Sequence, residues 1–360
     1  MSADRKDDHV RLVAEQRAGG PRSNGFDDVG FVHHALAGID ADRVDLGVEV
    51  AGARWALPFY LNAMTGGSTA TGLINRDLAI AARETGLAIA SGSVSAALDD
   101  PALAPTFRVI RDENPDGFVF ANVGVERSPD DARRAVALLE ADALQVHLNA
   151  VQETVMPEGS RAFSSWPRSL EAIVEAAEVP VVVKEVGFGL SPRTLSRLRD
   201  LGVAYADVSG SGGTDFARVE NARRAAGEYA FLAGWGQSTV ECLLDAPADA
   251  PVLLASGGVR TPLDVVRALA LGARAVGVSG SFLQVVLDDG TEGLVALVRS
   301  WTAQARALLA LLGAASPGDL ADTDLVVRGA TAEYGRLRGI DLGALSRRSE
   351  TPESRSSRGR

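Results

Sequence analysis

Cysteine is almost missing from this chain of 360 residues, which contains only Cys242. A single cysteine cannot form an intrachain disulfide, and no cysteine and histidine cluster has the spacing of a zinc site. Cys242 follows Thr239-Val240-Glu241 in a helix-like run, which favours a buried apolar role over a chemical one. The disulfide-rich and zinc-dependent classes are therefore excluded.

Long apolar runs are missing too. None approaches the roughly 20 apolar residues of a membrane span, and residues 1–16 lack the apolar core of a signal peptide. The formal net charge of −11 disfavours nucleic acid and anionic membranes as partners. We therefore expect a cytoplasmic protein, in which an anionic substrate would need a local basic pocket.

A repeated unit fills the middle of the chain. A short apolar run rich in Val, Ile, Leu and Ala is followed by an amphipathic, helix-like run. The apolar runs predict strands at 58–64, 87–93, 118–123, 143–149, 179–186, 205–209, 252–256 and 275–279. About eight such repeats over roughly 230 residues predict a closed (β/α)8 TIM barrel. An open doubly wound sheet is the alternative, but no GxGxxG follows the first strand.

The flanking regions complete the predicted organisation. Residues 44–55 look like a hairpin that covers the bottom of the barrel. We expect residues 1–345 to form one barrel domain with an N-terminal extension. Residues 346–360 are rich in Ser and Arg and read as a disordered tail.

Chemistry in this fold belongs at the carboxyl ends of the strands, so polar residues there are informative. Gln145, His147 and Asn149 alternate along the fourth strand and therefore share one face. Lys184 ends a run of valines, where an unpaired lysine is costly to bury. It should contact an anionic or electron-rich ligand, or else pair with an acid on a neighbouring strand.

Glycine-rich turns follow the last two predicted strands, at Gly257-Gly258 and Ser279-Gly280, with Arg260 nearby. This is the usual phosphate site of the fold. A phosphate there, together with Lys184 and polar side chains on the first three strands, suggests a flavin. The polar side chains expected at the ring edge are Thr65, Ser93 and Asn122.

Two further features are less generic. The segment 150–159 is long for a βα loop, and its Glu153 either holds Mg²⁺ or faces solvent. At the N-terminus, Arg5 and His9 would share one helical face beside Lys6. That basic cluster is either simply solvated or closes over a diphosphate.

The motifs that carry these residues resemble those of type 2, FMN-dependent isopentenyl-diphosphate isomerases. The resemblance runs from about residue 4 to about residue 340. Its specific parts are HLNxxQE at 147–153 and KEVGFG at 184–189. The remaining matches are Arg5-Lys6-x-x-His9 and the stretches 62–67, 120–124, 156–159, 212–214 and 255–258.

The resemblance implies reversible interconversion of isopentenyl and dimethylallyl diphosphate in isoprenoid biosynthesis, with reduced FMN, Mg²⁺ and NAD(P)H as reductant, in a homo-oligomer (tetramer or octamer). It assigns the substrate to Arg5, Lys6, His9, Ser93, His147, Asn149 and Gln152, and the metal to Glu153. It assigns FMN to Ala63, Met64, Thr65, Ser93, Asn122, Lys184, Ser209, Thr214, Gly257, Gly258, Arg260, Ser279 and Gly280. The expected catalytic residues are Gln152, Lys184 and His147.

One departure from the family pattern concerns the diphosphate. Some members carry an arginine shortly after the serine equivalent to Ser93, whereas here Val94-Ser95-Ala96 follows. One diphosphate contact is therefore missing or replaced.

The reaction needs one proton added to an alkene and another removed, with no net redox change. No side chain here is an obvious acid for that step, so we hypothesise that reduced flavin is the acid/base, poised by Lys184, and that Gln152 positions or relays. The alternative is an FMN-dependent 2-hydroxy-acid oxidase or dehydrogenase. That enzyme would need a histidine base and arginines at the ends of the later strands.

Overall fold

The computed structural model describes residues 2–17 and 23–350, and in the first helix it describes the side chains of residues 7–16. The strands are β1 (Val29–Phe31), β2 (Val48–Val50), β3 (Ala53–Trp55), β4 (Phe59–Leu61), β5 (Ile89–Ala90), β6 (Val119–Gly124), β7 (Ala143–His147), β8 (Val181–Lys184), β9 (Tyr205–Asp207), β10 (Val252–Ser256), β11 (Ala275–Val278) and β12 (Leu325–Val327). The helices are α1 (Ser2–Arg17), α2 (Thr69–Thr85), α3 (Ser95–Asp99), α4 (Pro105–Glu113), α5 (Pro129–Leu139), α6 (Ala150–Val155), α7 (Trp166–Ala176), α8 (Pro192–Asp200), α9 (Phe216–Ala222), α10 (Thr239–Leu244), α11 (Pro262–Ala270), α12 (Gly280–Leu312), α13 (Gly329–Leu337) and α14 (Leu342–Leu345).

The eight predicted strands are present as β4 to β11 and close into a barrel. Each pairs in parallel with the next, and β11 pairs with β4. Most are shorter than predicted, and the polar residues that follow several of them lie outside the strands. The predicted (β/α)8 barrel is confirmed, and the open doubly wound alternative is wrong.

Short sequence signals set the ends of the surrounding helices. Ser128 Oγ accepts a hydrogen bond from the Asp131 N–H at 3.1 Å, which caps α5 at its start. Ser191 and Thr261 cap α8 and α11 in the same way, each before a proline at the first helical position. Helix α2 ends at Gly86, whose φ of 71° is a conformation that glycine adopts without strain.

The hairpin formed by β2 and β3 closes the bottom of the barrel, as predicted. Its residue Trp55 is buried, with ring centroids 5.4 Å from Tyr60, 5.2 Å from Phe118 and 5.7 Å from Phe120. These partners lie at the amino-terminal ends of β4 and β6. An aromatic cluster therefore fills that end, and the opposite end is left for a ligand.

The C-terminal tail begins later than the sequence suggests. Arg348 donates to the Ala270 carbonyl oxygen at 2.7 Å, and the Ser349 N–H donates to Asp324 Oδ1 at 2.7 Å. The prediction of disorder from residue 346 is therefore wrong for 346–350, because polar side chains there reach specific partners. Residues 351–360 lie outside the described part. None of the described helices is long and apolar enough to cross a membrane.

Candidate active site

A cavity of about 740 Å³ opens at the carboxyl ends of the barrel strands. The predicted cofactor residues that line it are Ala63, Met64, Thr65, Ser93, Asn122, Lys184, Ser209, Thr214, Gly257, Gly258, Ser279 and Gly280. The predicted substrate and metal residues that line it are His9, Ser93, His147, Asn149, Gln152 and Glu153. Arg5 and Lys6 belong to α1, but their side chains lie outside the described residues.

The polar face predicted on β7 is real and forms a hydrogen-bonded network inside the barrel. Gln145 Nε2 donates to Asn62 Oδ1 at 3.1 Å, and Asn122 Nδ2 donates to Gln145 Oε1 at 3.1 Å. His147 Nδ1 lies 2.9 Å from Asn122 Oδ1. Strand alternation therefore placed Gln145 and His147 on the same inner face correctly. The Asn122 amide faces two protein partners as well as the cavity.

An acid at the centre of the barrel escaped the sequence analysis. Asp207 on β9 is fully buried and accepts hydrogen bonds from Asn62 Nδ2 at 2.9 Å and from the Tyr60 hydroxyl at 3.2 Å. It also accepts from Ser256 Oγ at 2.8 Å and from the Ser209 N–H at 3.1 Å. The signal available in the sequence was that a polar residue, Asp207, ends the short strand β9. Its side-chain partners come from two other segments, those of β4 and β10, so the sequence around Asp207 does not reveal its role.

Lys184 is buried at the end of β8 without a close acid partner. Its Nζ donates to the Glu185 carbonyl oxygen at 2.7 Å, and no ion pair to it within 4.0 Å is found in residues 23–350. The ion-pair alternative is therefore not realised in this structure. Burial lowers the pKa of Lys184, while Asp207 and Glu185 oppose that change. The remaining ammonium hydrogens suit an electron-rich ligand.

Glu185 has a structural role within the KEVGFG stretch. Its Oε2 accepts backbone N–H groups from Val186 at 2.7 Å, Gly187 at 2.8 Å and Phe188 at 2.5 Å. Gly187 has a φ of 133°, which a side chain would strain. The carboxylate thus fixes the turn that follows Lys184, a role that the sequence analysis did not assign.

Helix α1 covers one side of the cavity and is held there by polar contacts. His9 Nε2 lies 3.0 Å from Glu220 Oε1 on α9. Gln16 exchanges two hydrogen bonds with the Asp215 backbone, at 3.1 and 3.2 Å. Ser68 Oγ donates to Asp7 Oδ1 at 2.5 Å. Helix α1 therefore packs on the mouth of the barrel through its described residues.

Glu220 is the buried acid in contact with predicted site residues that sequence reasoning missed most clearly. It is fully buried, accepts from Gln152 Nε2 at 2.8 Å, and pairs with Arg223. Burial alone would raise the pKa of its carboxyl, but hydrogen bonds from His9, Gln152 and Arg223 lower that pKa to about 2. The sequence signal was an acid that shares the buried face of α9 with Ala217.

The segment 150–159 was predicted as a loop, but it begins with the short helix α6. Glu153 on α6 accepts from Asn149 Nδ2 at 3.1 Å and from the Ser160 N–H at 2.8 Å. Glu126 also lines the cavity, and burial raises its pKa, with a smaller contribution from Glu153. No group of three or more candidate metal ligands is found among the described residues. Mg²⁺ needs only one or two carboxylates beside water and phosphate oxygens.

The glycine turns after β10 approach other backbone closely. Gly257 and Gly258 have φ values of 94° and 78°. A Cβ on Gly257 would lie 2.0 Å from the Gly210 oxygen, and one on Gly258 would lie 2.7 Å from Asn24 Nδ2. Only glycine fits these positions, and the turn leaves backbone N–H groups near the cavity.

Arg260, which is predicted to bind phosphate, is not among the described residues that line this cavity. Its guanidinium donates to Asp27 Oδ1 at 2.7 Å and to Asp264 Oδ2 at 3.0 Å. Asp27, which precedes the barrel, and Asp264 on α11 therefore compensate the charge of Arg260. In this structure Arg260 links residues before the barrel to the turn after β10.

A family model described as FMN-dependent dehydrogenase matches residues 120–327. The isopentenyl-diphosphate delta-isomerase of Kitasatospora griseola is 60% identical over 355 residues, with 99% of this chain and 98% of that protein covered. The isopentenyl-diphosphate delta-isomerase of Nocardia farcinica is 59% identical over 350 residues, with 97% of each covered. The enzyme of the same name from Staphylococcus haemolyticus is 46% identical over 340 residues, with 94% of this chain and 97% of that protein covered.

The chain belongs to the FMN-dependent isopentenyl-diphosphate delta-isomerases. Solved structures of flavoenzymes have the same fold. A mandelate oxidase mutant with an FMN adduct gives a TM-score of 0.62 at 20% identity, covering 89% of this chain and 92% of that one. A flavocytochrome b2 mutant gives 0.65 at 19% identity, covering 89% and 79%. At this identity the likeness concerns the barrel alone, and the isomerase family follows from the sequence relatives.

The cavity of this isomerase family member fits FMN. Thr65 Oγ1 and Asn149 Oδ1 are buried and have no hydrogen-bond partner within the described residues. Such groups cost free energy unless a ligand satisfies them. Lys184 offers a buried cation, and the turn at Gly257-Gly258 offers backbone N–H groups. A flavin with a phosphate tail requires polar groups along the ring edge, a cation near the ring and a glycine turn for the phosphate.

Proposed function

We propose that this protein interconverts isopentenyl diphosphate and dimethylallyl diphosphate reversibly, with reduced FMN as acid/base cofactor. One observation carries the proposal. The residues of HLNxxQE and of helix α1 converge on the same cavity as the residues that fit FMN. Gln152 and His9 meet there at one carboxylate, Glu220. A barrel that only binds flavin does not need HLNxxQE and helix α1 at the same cavity. A barrel that encloses a small diphosphate beside the flavin does need them there.

The cofactor side of the site is assigned to two groups of residues. Thr65, Ser93, Asn122 and Lys184 would hold the polar edge of the ring. Ser209, Thr214 and the turns at Gly257-Gly258 and Ser279-Gly280 would hold the phosphate tail. When bound, reduced FMN supplies the group that donates and accepts the proton. The Lys184 ammonium, in a site shielded from water, would stabilise negative charge on it.

The substrate side carries the charges that a diphosphate needs. His9, His147 and Asn149 line the cavity, and Arg5 and Lys6 precede His9 on the same helix. Glu153 would hold Mg²⁺ against the diphosphate oxygens. These groups bind and orient the anion and leave its hydrocarbon end free to approach the flavin.

Gln152 is the side chain proposed to position the reacting end. Because its Nε2 donates to the ionised carboxylate of Glu220, its Oε1 remains an acceptor. Isomerisation adds one proton at one carbon and removes one from another, so electrons and atoms balance without an oxidant. Glu220 contacts both Gln152 and His9 and thereby links helix α1 to the orientation of the Gln152 amide.

The alternative function is oxidation of a small 2-hydroxy acid. It is favoured only by distant neighbours with the same barrel, at 18–20% identity. The chemistry would need a histidine base and arginines at the ends of the later strands. Among the described residues, those that line the cavity between β9 and Gly280 are Ser, Gly, Thr and Val, together with Phe216 and Arg223. None of them is a histidine, and Arg223 is paired with Glu158 and Glu220. Arg260 is bound to two acids outside the cavity.

The wider setting follows from the same proposal. The enzyme would serve isoprenoid biosynthesis in the cytoplasm, as a tetramer or octamer, with no nucleic acid or membrane partner. NAD(P)H would be the reductant, reaching FMN through the same mouth, since no GxGxxG motif is present.

Substrate discrimination tests the proposed function. The FMN-loaded protein is incubated without oxygen, either with isopentenyl diphosphate or with a panel of 2-hydroxy acids, and flavin absorbance is followed. The proposal expects dimethylallyl diphosphate from the reduced protein, and no bleaching of oxidised flavin by any hydroxy acid. Bleaching by a hydroxy acid, without isomerisation, would support the oxidase instead.

A further inference from the structure

The buried amides of the barrel form one continuous chain between an acid and a histidine. It runs from Asp207 through Asn62, Gln145 and Asn122 to His147. We infer that Asp207 is a positioning residue that fixes the tautomer of His147 through this chain, with the proton held on Nδ1. Nothing about the substrate enters this inference.

The first link is set by the chemistry of the carboxylate. A carboxylate only accepts hydrogen bonds, so Asn62 must turn its Nδ2 toward Asp207 Oδ2, at 2.9 Å. The opposite end of the same amide is fixed independently, because Asn62 Oδ1 accepts the Ala63 N–H at 2.8 Å. Donors on one side and acceptors on the other thus leave Asn62 a single orientation.

The next two links follow from the first. Gln145 must present Nε2 to Asn62 Oδ1, at 3.1 Å, which leaves its Oε1 to accept from Asn122 Nδ2 at 3.1 Å. Asn122 Oδ1 is then the atom that faces the histidine ring, so His147 Nδ1 must donate across the 2.9 Å contact. Reversing any one amide would set two donors or two acceptors against each other.

Burial makes that reversal costly. Asn62 and Asn122 are each 2% exposed, and Gln145 is fully buried. Water therefore has little access to satisfy a mismatched pair, and an unmatched buried polar group costs on the order of 1–3 kcal/mol. Since the amides share neighbours, the orientation of the whole chain is set together.

The consequence concerns the cavity, which His147 lines. With Nδ1–H committed to Asn122, the neutral ring presents Nε2 as an acceptor. Only a ring that carries a proton on both nitrogens could donate from Nε2 to an oxyanion. If the proposed function holds, a diphosphate oxygen beside His147 would therefore require the protonated ring. That last step alone depends on the proposed function.

Solid-state NMR of the full-length FMN-loaded protein, labelled with ¹³C and ¹⁵N in histidine, tests the inference without substrate. The chain has four histidines, and a His147→Asn variant identifies the signals of His147. At a pH where the ring is neutral, the expected result is Nδ1–H for His147. An Nε2–H ring in the unaltered protein would overturn the inference.

Two variants test the chain itself. Gln145→Met keeps approximate size but breaks the middle link, so Asn122 becomes free to reverse and a substantial Nε2–H fraction should appear. Asp207→Asn removes the acceptor-only end and should have the same effect. Should the Asp207 variant fail to fold, the Gln145 variant still decides. A His147 that stays fully Nδ1–H in Gln145→Met would refute the chain as the cause.

Ser256→Ala is the matched control. Ser256 donates to the same carboxylate at 2.8 Å but is not a link of the chain. Ser256→Ala should therefore leave the tautomer of His147 unchanged, whereas a general loosening of the barrel would change it. As a second readout, Gln145→Met should raise the KM for isopentenyl diphosphate roughly tenfold with FMN retained, the effect of about one hydrogen bond. Loss of isomerase activity in every protein would contradict the proposed function, and the tautomer result would stand separately.

Discussion

Replacing Glu220 with glutamine should destabilise the protein strongly and in a pH-dependent way. The carboxylate is fully buried and faces donors from His9, Gln152 and Arg223. Glutamine at position 220 keeps one carbonyl oxygen as an acceptor, but its NH₂ group would face one of these donors. The pKa of Glu220 lies at about 2, against an ordinary value of 4.5. One pKa unit is equivalent to about 1.4 kcal/mol, so the contacts favour the charged form by about 3 kcal/mol.

The sign of the pH dependence follows from the lowered pKa. The stabilisation is fully present above the ordinary pKa of 4.5 and is lost as pH falls toward about 2. Urea unfolding should therefore show a difference of about 3 kcal/mol between Glu220→Gln and the unaltered protein at pH 7, shrinking steadily below pH 4.5. A difference that stayed constant with pH would refute the reasoning.

Glu158→Gln provides the control for that experiment. Glu158 pairs with the same Arg223, at 2.8 Å, but its side chain is 44% exposed. An exposed pair contributes at most about 1 kcal/mol, so this variant should unfold nearly as the unaltered protein does. Equal losses in both variants would mean that burial and the contacts of Glu220 do not matter.

Three further changes test individual assignments. Gln152→Ala should lower turnover by roughly a hundredfold or more while FMN stays bound, which stopped-flow assays and the flavin spectrum measure together; near-normal turnover would sink the assignment. Lys184→Met should abolish turnover yet leave the melting temperature unchanged or higher, because a buried ammonium with no acid within 4.0 Å disappears; a large drop in melting temperature would contradict that. Glu153→Gln should raise the Mg²⁺ concentration for half-maximal turnover about tenfold, and chelation with EDTA should stop the unaltered enzyme; indifference to both would remove the metal from the site.

The barrel and much of its lining were predictable, for local reasons. Strand alternation put Gln145, His147 and Asn149 on one face, and that face does point into the barrel network. Cap residues such as Ser128 act through neighbours three residues away. Signals of this kind lie within a few residues of each other, so the sequence displays them directly.

The features that escaped prediction depend on contacts between distant segments. Arg260 was predicted to bind phosphate, and its acid partner Asp27, which lies 233 positions earlier, was not foreseen. Glu220 meets Gln152 across 68 positions, and Asp207 meets Asn62 across 145. Which acid neutralises which base is decided by how the segments pack, and net charge or periodicity cannot reveal it. The order of residues 346–350 has the same origin, since Ser349 binds Asp324.

The central claim is that the barrel moves a double bond by proton transfer that needs reduced flavin. It is tested most directly by giving the purified FMN-loaded protein isopentenyl diphosphate and Mg²⁺ in heavy water without oxygen, with and without a flavin reductant. The account predicts dimethylallyl diphosphate only in the reduced sample, carrying deuterium from solvent, with the flavin still reduced at the end. Product formed equally by oxidised flavin, or no product from either sample with flavin confirmed bound, would contradict it.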